Sequence, residues 1–394
     1  MKRLLLLSTL VATLATASPR PPAERALSKH PSIANPAIAE LRAQGQAGVD
    51  ALALAASKLT GREERERARL ALDRVCRQRD CYASRLYWFT DLGAAKAEAK
   101  KLGKPILSLR LLGNLDDDLS CANSRFFRTT LYSDPKIAAA MREHFVLHWS
   151  SERPVPQVTI DFGDGRKLRQ TITGNSVHYL LDADGRPLDA LPGLYSPERF
   201  LIGLNELASV ALRRDAETLR AYHEQALQNA YSELSAEFAP PPPPPAPAAV
   251  DEPVKIEATL RYAAILAAPV ASTKMSLETP LLASLGQTIP DARWKDLAAK
   301  HAPEVRFAPE SIALMKEKYG ATDAMLVALQ RSVAEDTLRN EYDLHARIHQ
   351  WFAVATRMTF HSLNKSVYAQ LFLTPRTDPW LGLQPNAFSA IAAK

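Results

Sequence analysis

The chain has 394 residues, 46% of them hydrophobic and 23% charged, which excludes a disordered polymer and leaves room for two or three modest domains. Its formal charge of +6 is scattered, with no basic stripe and no interleaved aromatics, and so argues against nucleic-acid binding.

The chain opens with Lys2 and Arg3, then the apolar run "LLLLSTLVATL", then "ATA" at residues 15–17. A positive head, a short apolar stretch and a small-x-small site read as a secretory signal peptide cut after Ala17, with an uncleaved anchor as the alternative. No cysteine stands near the cut, which excludes a lipoprotein signal. Removing Lys2 and Arg3 takes the formal charge from +6 to +4. No later apolar run reaches spanning length, so the mature chain is expected to be exported, periplasmic or extracellular, without a membrane span.

Residues 18–36 are Pro-rich and polar and predict an extended leader. "AIAELRAQGQAGVDALALAASKL" and "REERERARLALDRVCRQ" have helical spacing and complete a leader region over 18–84. From residue 85 the pattern changes. Thr90 or Asp91 caps a helix that Gly103 ends, "PILSLRLL" is a buried strand, and "GNLDDDLS" is a loop. "CANSRFFRTTLY" and "PKIAAAMREH" are helical, and "FVLHWSS" is a strand. Residues 157–172 form a β-hairpin candidate, and "VHYLLDADGRPLDALPG" is strand, Asp-Gly turn, strand. Ser196 caps a helix with Pro197 in its first turn, and a further helix runs to about Phe238. Residues 239–253, "APPPPPPAPAAVDEP", hold a polyproline II conformation and read as a semi-rigid linker. Residues 254–394 have apolar positions at three and four spacing and predict an all-α domain, with Trp380 in a turn-rich end.

The chain has three cysteines. In an exported protein, Cys76 and Cys81 of "CRQRDC" are placed to close a small disulfide loop, with two free thiols as the alternative. Cys121 is left over, behind Asp116, Asp117 and Asp118.

Lys104-Pro105-Ile106, Cys121, Asp134-Pro135-Lys136-Ile137 and His144-Phe145-Val146 occur in that order. In this order and spacing, residues about 85–210 resemble the thioredoxin-like superfamily, in the branch that reads K-P-[IL], C-x-x-C, D-P-x-[VI], H-F-V. The resemblance implies a mixed sheet flanked by helices. It puts Cys121 on the nucleophilic position and Ser124 on the resolving position, a C-x-x-S motif. Two features depart from the branch. The loop before Cys121 is longer and acidic, and Asn175-Ser176 stands where such domains have a cis-proline.

Physically, the Ser120–Ser124 helix start favours a thiolate at Cys121, as do Arg125 and Arg128 if they face it, while the three aspartates oppose it. Without a second sulfur in the motif, a mixed disulfide cannot be released within it, so an ordinary dithiol cycle is closed. Cys121 therefore reads as an active monothiol, a redox-silent relic or a small buried residue, with Cys76 or Cys81 as a remote resolver if either comes near.

Elsewhere, Glu341, His345 and His349 share a helix face and are the residues that would hold a metal. "HARIH" lacks the H-E-x-x-H pattern, and a solvated or interfacial face is the default. His144, His148 and His178 read as core or edge histidines, and the aspartate run as exposed loop without a calcium pattern. No Ser-His-Asp, P-loop or dinucleotide motif is present, and no cofactor is expected. The function expected is a protein-binding or redox-linked module. The alternatives are a monothiol oxidoreductase or isomerase acting on protein thiols, and a structural envelope protein.

Overall fold

The computed structural model describes residues 20–171, 173–213, 215–238, 289–354, 358–379 and 381. The expected signal segment 1–17, the expected linker 239–253, the start of the expected all-α domain at 254–288 and Trp380 lie outside the described residues.

The N-terminal region is helical where an extended leader was expected. Helices α1 (Pro22–Arg25) and α2 (Pro31–Ala43) each start on a proline. The fixed φ of proline suits a first helical residue, whose N–H has no intrahelical partner in any case. Helices α3 (Gln46–Ala56) and α4 (Arg62–Cys76) follow. Their apolar faces form a small core with Leu41, Val49, Leu52 and Val75. Cys76 and Cys81 are disulfide-bonded within it, with Cα atoms 6.2 Å apart. The short helix α5 (Cys81–Ser84) leads into the sheet region.

Helix α6 (Leu92–Leu102) is capped by Asp91, which accepts from the Ala94 N–H at 2.7 Å. Gly103, with φ 65°, ends it. Strand β1 (Ile106–Leu112) follows, then a loop, helix α7 (Ala122–Phe126) with a π-helical continuation over Phe127–Leu131, and α8 (Pro135–His144). Strand β2 (Val146–Arg153), the hairpin β3 (Gln157–Asp161) and β4 (Lys167–Thr171), then β5 (Ser176–Leu181) and β6 (Pro187–Pro192) complete the β structure. Helices α9 (Pro197–Val210) and α10 (Ala216–Phe238) follow, with the Ser196 hydroxyl accepting from Arg199 N–H.

The main sheet has four strands in the order β2-β1-β5-β6. β1 is parallel to β2 and antiparallel to β5, and β5 is antiparallel to β6, so the sheet is mixed. The hairpin β3–β4 is a separate two-stranded sheet.

Side-chain alternation along β5 separates the two faces of the main sheet. His178 points to one face and meets Phe127 and Phe200, at ring distances of 4.8 and 5.0 Å. Tyr179 points to the other and meets Phe360, 5.0 Å away. Phe360 belongs to the C-terminal region, whose described residues include helices Asp291–His301, Pro309–Tyr319, Asp323–Arg339, Ala346–Val354 and Phe360–Ser366. The β2-to-β5 connection carries a hairpin and no helix. The C-terminal helices cover the face it leaves open, and their apolar residues join the same hydrophobic core as the strands. Nearly every residue of β1, β5 and β6 is buried, as a sheet covered on both faces requires. Among the described residues, no helix is long and apolar enough to cross a membrane.

Candidate functional site

Cys121 is the N-cap residue of α7, with φ −59° and ψ 160°. Its N–H donates to Leu112 O at the end of β1, 3.3 Å away, and its carbonyl accepts from Arg125 N–H at 3.1 Å. The thiol is free, and Cys121 is 0% exposed. It shares a core with Tyr132 and Tyr368. Burial pushes those two phenols well above their usual range.

Ser124 is equally buried, and its hydroxyl donates to the carbonyl of Cys121 at 3.0 Å, closing the first helical turn. The Ser120 hydroxyl accepts from Arg128 Nη2 at 3.2 Å. Arg125 donates to Ser120 O at 3.1 Å and to the Thr171 hydroxyl. Its guanidinium thus fastens the hairpin strand β4 to the loop before Cys121.

The strip ahead of β5 is built over. Ala122 N–H donates to Thr173 O at 3.3 Å, and Asn123 Nδ2 donates to Ser176 Oγ at 2.9 Å. Gly174 has no side chain to spare, because a Cβ there would lie 2.9 Å from Asn123 N and 3.2 Å from Ala122 Cβ. Asn175 is held by the C-terminal region. Its Nδ2 donates to the Thr374 hydroxyl at 3.0 Å, and its carbonyl accepts from the Tyr368 hydroxyl at 3.3 Å.

The three aspartates do not converge on the thiol. Asp116 pairs with Arg77 at 3.4 Å, and Asp118 with Arg79 at 2.9 Å and Lys318 at 3.6 Å. Asp117 accepts from the Leu119 N–H at 3.0 Å. Arg77 and Arg79 lie inside the disulfide loop. Asp80 of the same loop meets buried Arg128 at 3.1 Å and Lys318 at 2.6 Å. The Cys76–Cys81 loop therefore presents charges that hold the Cys121 loop and the α7 helix in place. Sequence reasoning missed Asp80, whose only local signal is the density of charge in "CRQRDC"; Arg128, expected to favour a thiolate at Cys121, is taken up by Asp80 and by the Ser120 hydroxyl.

Beside α7 lies a pocket of about 350 Å³, walled by Phe126, Leu168, Met315, Tyr319, Met325 and Leu329, with Arg125 and Lys318 at its lining. The neighbouring hairpin exposes Ile160, Phe162 and Leu168, at 42, 54 and 45%.

A second constellation lies at the edge strand β6. Asp189, fully buried, accepts from His345 Nε2 at 3.0 Å and from the Tyr222 hydroxyl at 3.2 Å. His349 Nδ1 and His223 Nδ1 are 2.8 Å apart, and His223 Nε2 donates to Leu188 O at 2.9 Å. Of the three residues named from the sequence, His345 and His349 are here, while Glu341 pairs with Arg199 at 2.5 Å. Asp189 and His223 were missed. An aspartate inside the apolar run "PLDALP" was the one available signal.

Of the histidines read as core or edge residues, His148 and His178 are buried. Ser108 Oγ lies 2.8 Å from His148 Nδ1, and the Tyr132 hydroxyl 2.6 Å from His178 Nε2. Comparison of the chain with protein-family models, with curated proteins and with solved structures finds no match.

Proposed function

We propose that the chain is an exported thioredoxin-like protein whose central domain binds a protein partner and runs no dithiol cycle. The observation that carries this reading is the burial of Cys121, in a core that includes residues of the C-terminal region such as Tyr368. A nucleophilic thiol needs access as well as a thiolate. The order of elements over residues 85–210 and the mixed sheet flanked by helices agree with the resemblance in sequence. Ser124 supplies no second sulfur, and Cys76 and Cys81 are bonded to each other. Export rests on the N-terminal segment and on the disulfide, which persists in oxidising compartments.

Partner binding falls to the hairpin side. The pocket beside α7 accepts one apolar side chain or a short apolar segment, and the exposed Ile160 and Leu168 are cross-strand partners beside it. The edges of the β3–β4 pair can also take an added strand.

The test is an assay of insulin reduction and of isomerisation of a scrambled disulfide protein. Full-length protein and Cys121→Ser are expected to match the uncatalysed rate. Turnover by the wild type that Cys121→Ser abolishes would replace this reading with the monothiol enzyme.

A further inference from the structure

Among the described residues, one group of histidines and carboxylates has donor atoms close enough to share an ion: Asp189, His223 and His349, all buried. They come from β6, α10 and the helix Ala346–Val354, so three separate elements converge on one point. A buried carboxylate needs a partner, but one cation and one hydroxyl would satisfy it. Here His345 and Tyr222 already hold Asp189, and two further imidazoles are present.

Hydrogen-bond accounting fixes the roles. Leu188 O can only accept, so His223 carries its proton on Nε2 and turns an unprotonated Nδ1 inward. That nitrogen faces His349 Nδ1 at 2.8 Å, and His349 Nδ1 lies 4.0 Å from Asp189 Oδ1. Ligand atoms around a tetrahedral ion with bonds of about 2.0–2.2 Å stand roughly 3.3–3.6 Å apart. The observed separations bracket that spacing, so modest side-chain movement completes the geometry.

The outer contacts also match those of a metal centre. Metal-binding histidines donate their second ring N–H to a carbonyl or carboxylate, and ligating carboxylates are themselves hydrogen-bonded. His223 to Leu188 O is the first kind, and Tyr222 to the second oxygen of Asp189 is the other. An independent observation is that His345 Nδ1 is buried without a hydrogen-bond partner. A pocket of about 420 Å³ lined by Tyr222, Glu341, His345 and His349 adjoins the cluster and gives an ion an entry path.

We propose that Asp189, His223 and His349 bind a first-row divalent cation, with zinc as the reference ion. His345 and Tyr222 orient the carboxylate from outside. On binding, His349 carries its proton on Nε2, and the fourth coordination position opens to the pocket. Imidazole with one carboxylate suits zinc and its neighbours and does not suit calcium or magnesium.

The test uses the full chain, stripped with a chelator and titrated with Co²⁺, then Zn²⁺. One equivalent of Co²⁺ is expected to give the intense visible absorption of a four-coordinate site, and one equivalent of Zn²⁺ to bleach it. His223→Gln and His349→Gln are each expected to weaken binding more than about 100-fold, beyond what loss of an outer contact costs. Circular dichroism of each metal-free variant checks its fold. If either fails to fold, X-ray absorption of the zinc-loaded wild type decides, with two imidazoles in the first shell expected. No stoichiometric binding by the wild type, binding unchanged in both folded variants, or a first shell without imidazole overturns the proposal.

Discussion

Arg128 holds one guanidinium nitrogen 3.1 Å from Asp80, and both side chains are buried. Asp80 precedes the second cysteine of the disulfide loop and also receives Lys318 at 2.6 Å. Three regions distant in sequence therefore meet at one carboxylate. Removing the shared partner leaves buried Arg128 without a carboxylate and Lys318 with only its 3.6 Å contact to Asp118, whereas removing Arg128 leaves Asp80 paired with Lys318. Asp80→Ala is expected to cost about 3–5 kcal/mol. Arg128→Met, which replaces the charge with apolar volume, is expected to cost less. Chemical denaturation of both variants checks the order, and a larger loss for Arg128→Met would contradict it.

The disulfide closes a short loop, so its entropic contribution is modest, on the order of 2 kcal/mol. Its loop also carries Arg77, Arg79 and Asp80 onto the Cys121 segment. Replacing Cys76 and Cys81 together by alanine is therefore expected to lower stability by more than that entropic value and to increase hydrogen exchange across residues 114–121. A stability loss with exchange there unchanged would separate the disulfide from the loop.

Tyr368 holds the carbonyl of Asn175 and shares a core with Cys121. Tyr368→Phe removes one hydrogen bond, worth about 0.5–1.5 kcal/mol, and keeps the ring that fills the space. Tyr368→Ala also empties a ring-sized space in the core that holds Cys121. Labelling of Cys121 by a small alkylating reagent is expected to change little in the first variant and to rise at least about tenfold in the second. Equal rates in wild type and Tyr368→Ala would show that the thiol is protected by something else.

Acid is expected to destabilise the fold in a defined window. Burial, with Arg110 adding to it, pulls the pKa of His148 down to about 4, and burial alone pulls His178 to about 3. Both would titrate near 6.5 in the unfolded chain. With depressed folded values, the unfolded state binds more protons below pH 6.5, so stability falls as pH drops from there toward 4. Asp73 works the other way, because burial raises it to about 6 and the folded state then binds the extra proton. Burial also lowers His223 and His349, while, against burial, Asp189 raises His345, and burial raises Glu335. Four lowered imidazoles thus stand against three raised groups and leave a net loss on acidification. The urea midpoint is expected to fall between pH 7 and pH 5, and His148→Asn to flatten the slope. A midpoint that is level or rises toward pH 5 would contradict this.

Local physics made much of the fold legible in the sequence. Asp91 and Gly103 bound their helix as capping chemistry demands, Ser196 caps α9, and "DADG" turns β5 into β6. The Pro-rich start misled, because Pro22 and Pro31 open helices in place of extending a leader. The cysteine pair was readable from its short spacing. What spacing could not carry was the state of Cys121. Its burial is in a core that strand residues and residues of the C-terminal region such as Tyr368 build together, and local periodicity does not encode contacts across so much chain. The same limit hid Asp189 and His223. Each is unremarkable alone, and only the packing of α10 and the helix Ala346–Val354 against β6 joins them to His345 and His349.

The account turns on a thiol that folding places out of reach. The most direct test is the alkylation rate of Cys121 in the native full-length protein, read by mass spectrometry against the same protein in denaturant. Native labelling at least about 100-fold slower than unfolded labelling is the expected result. A native rate within about tenfold of the unfolded one would mean that the sulfur is open to substrates and that the non-enzymatic reading is wrong.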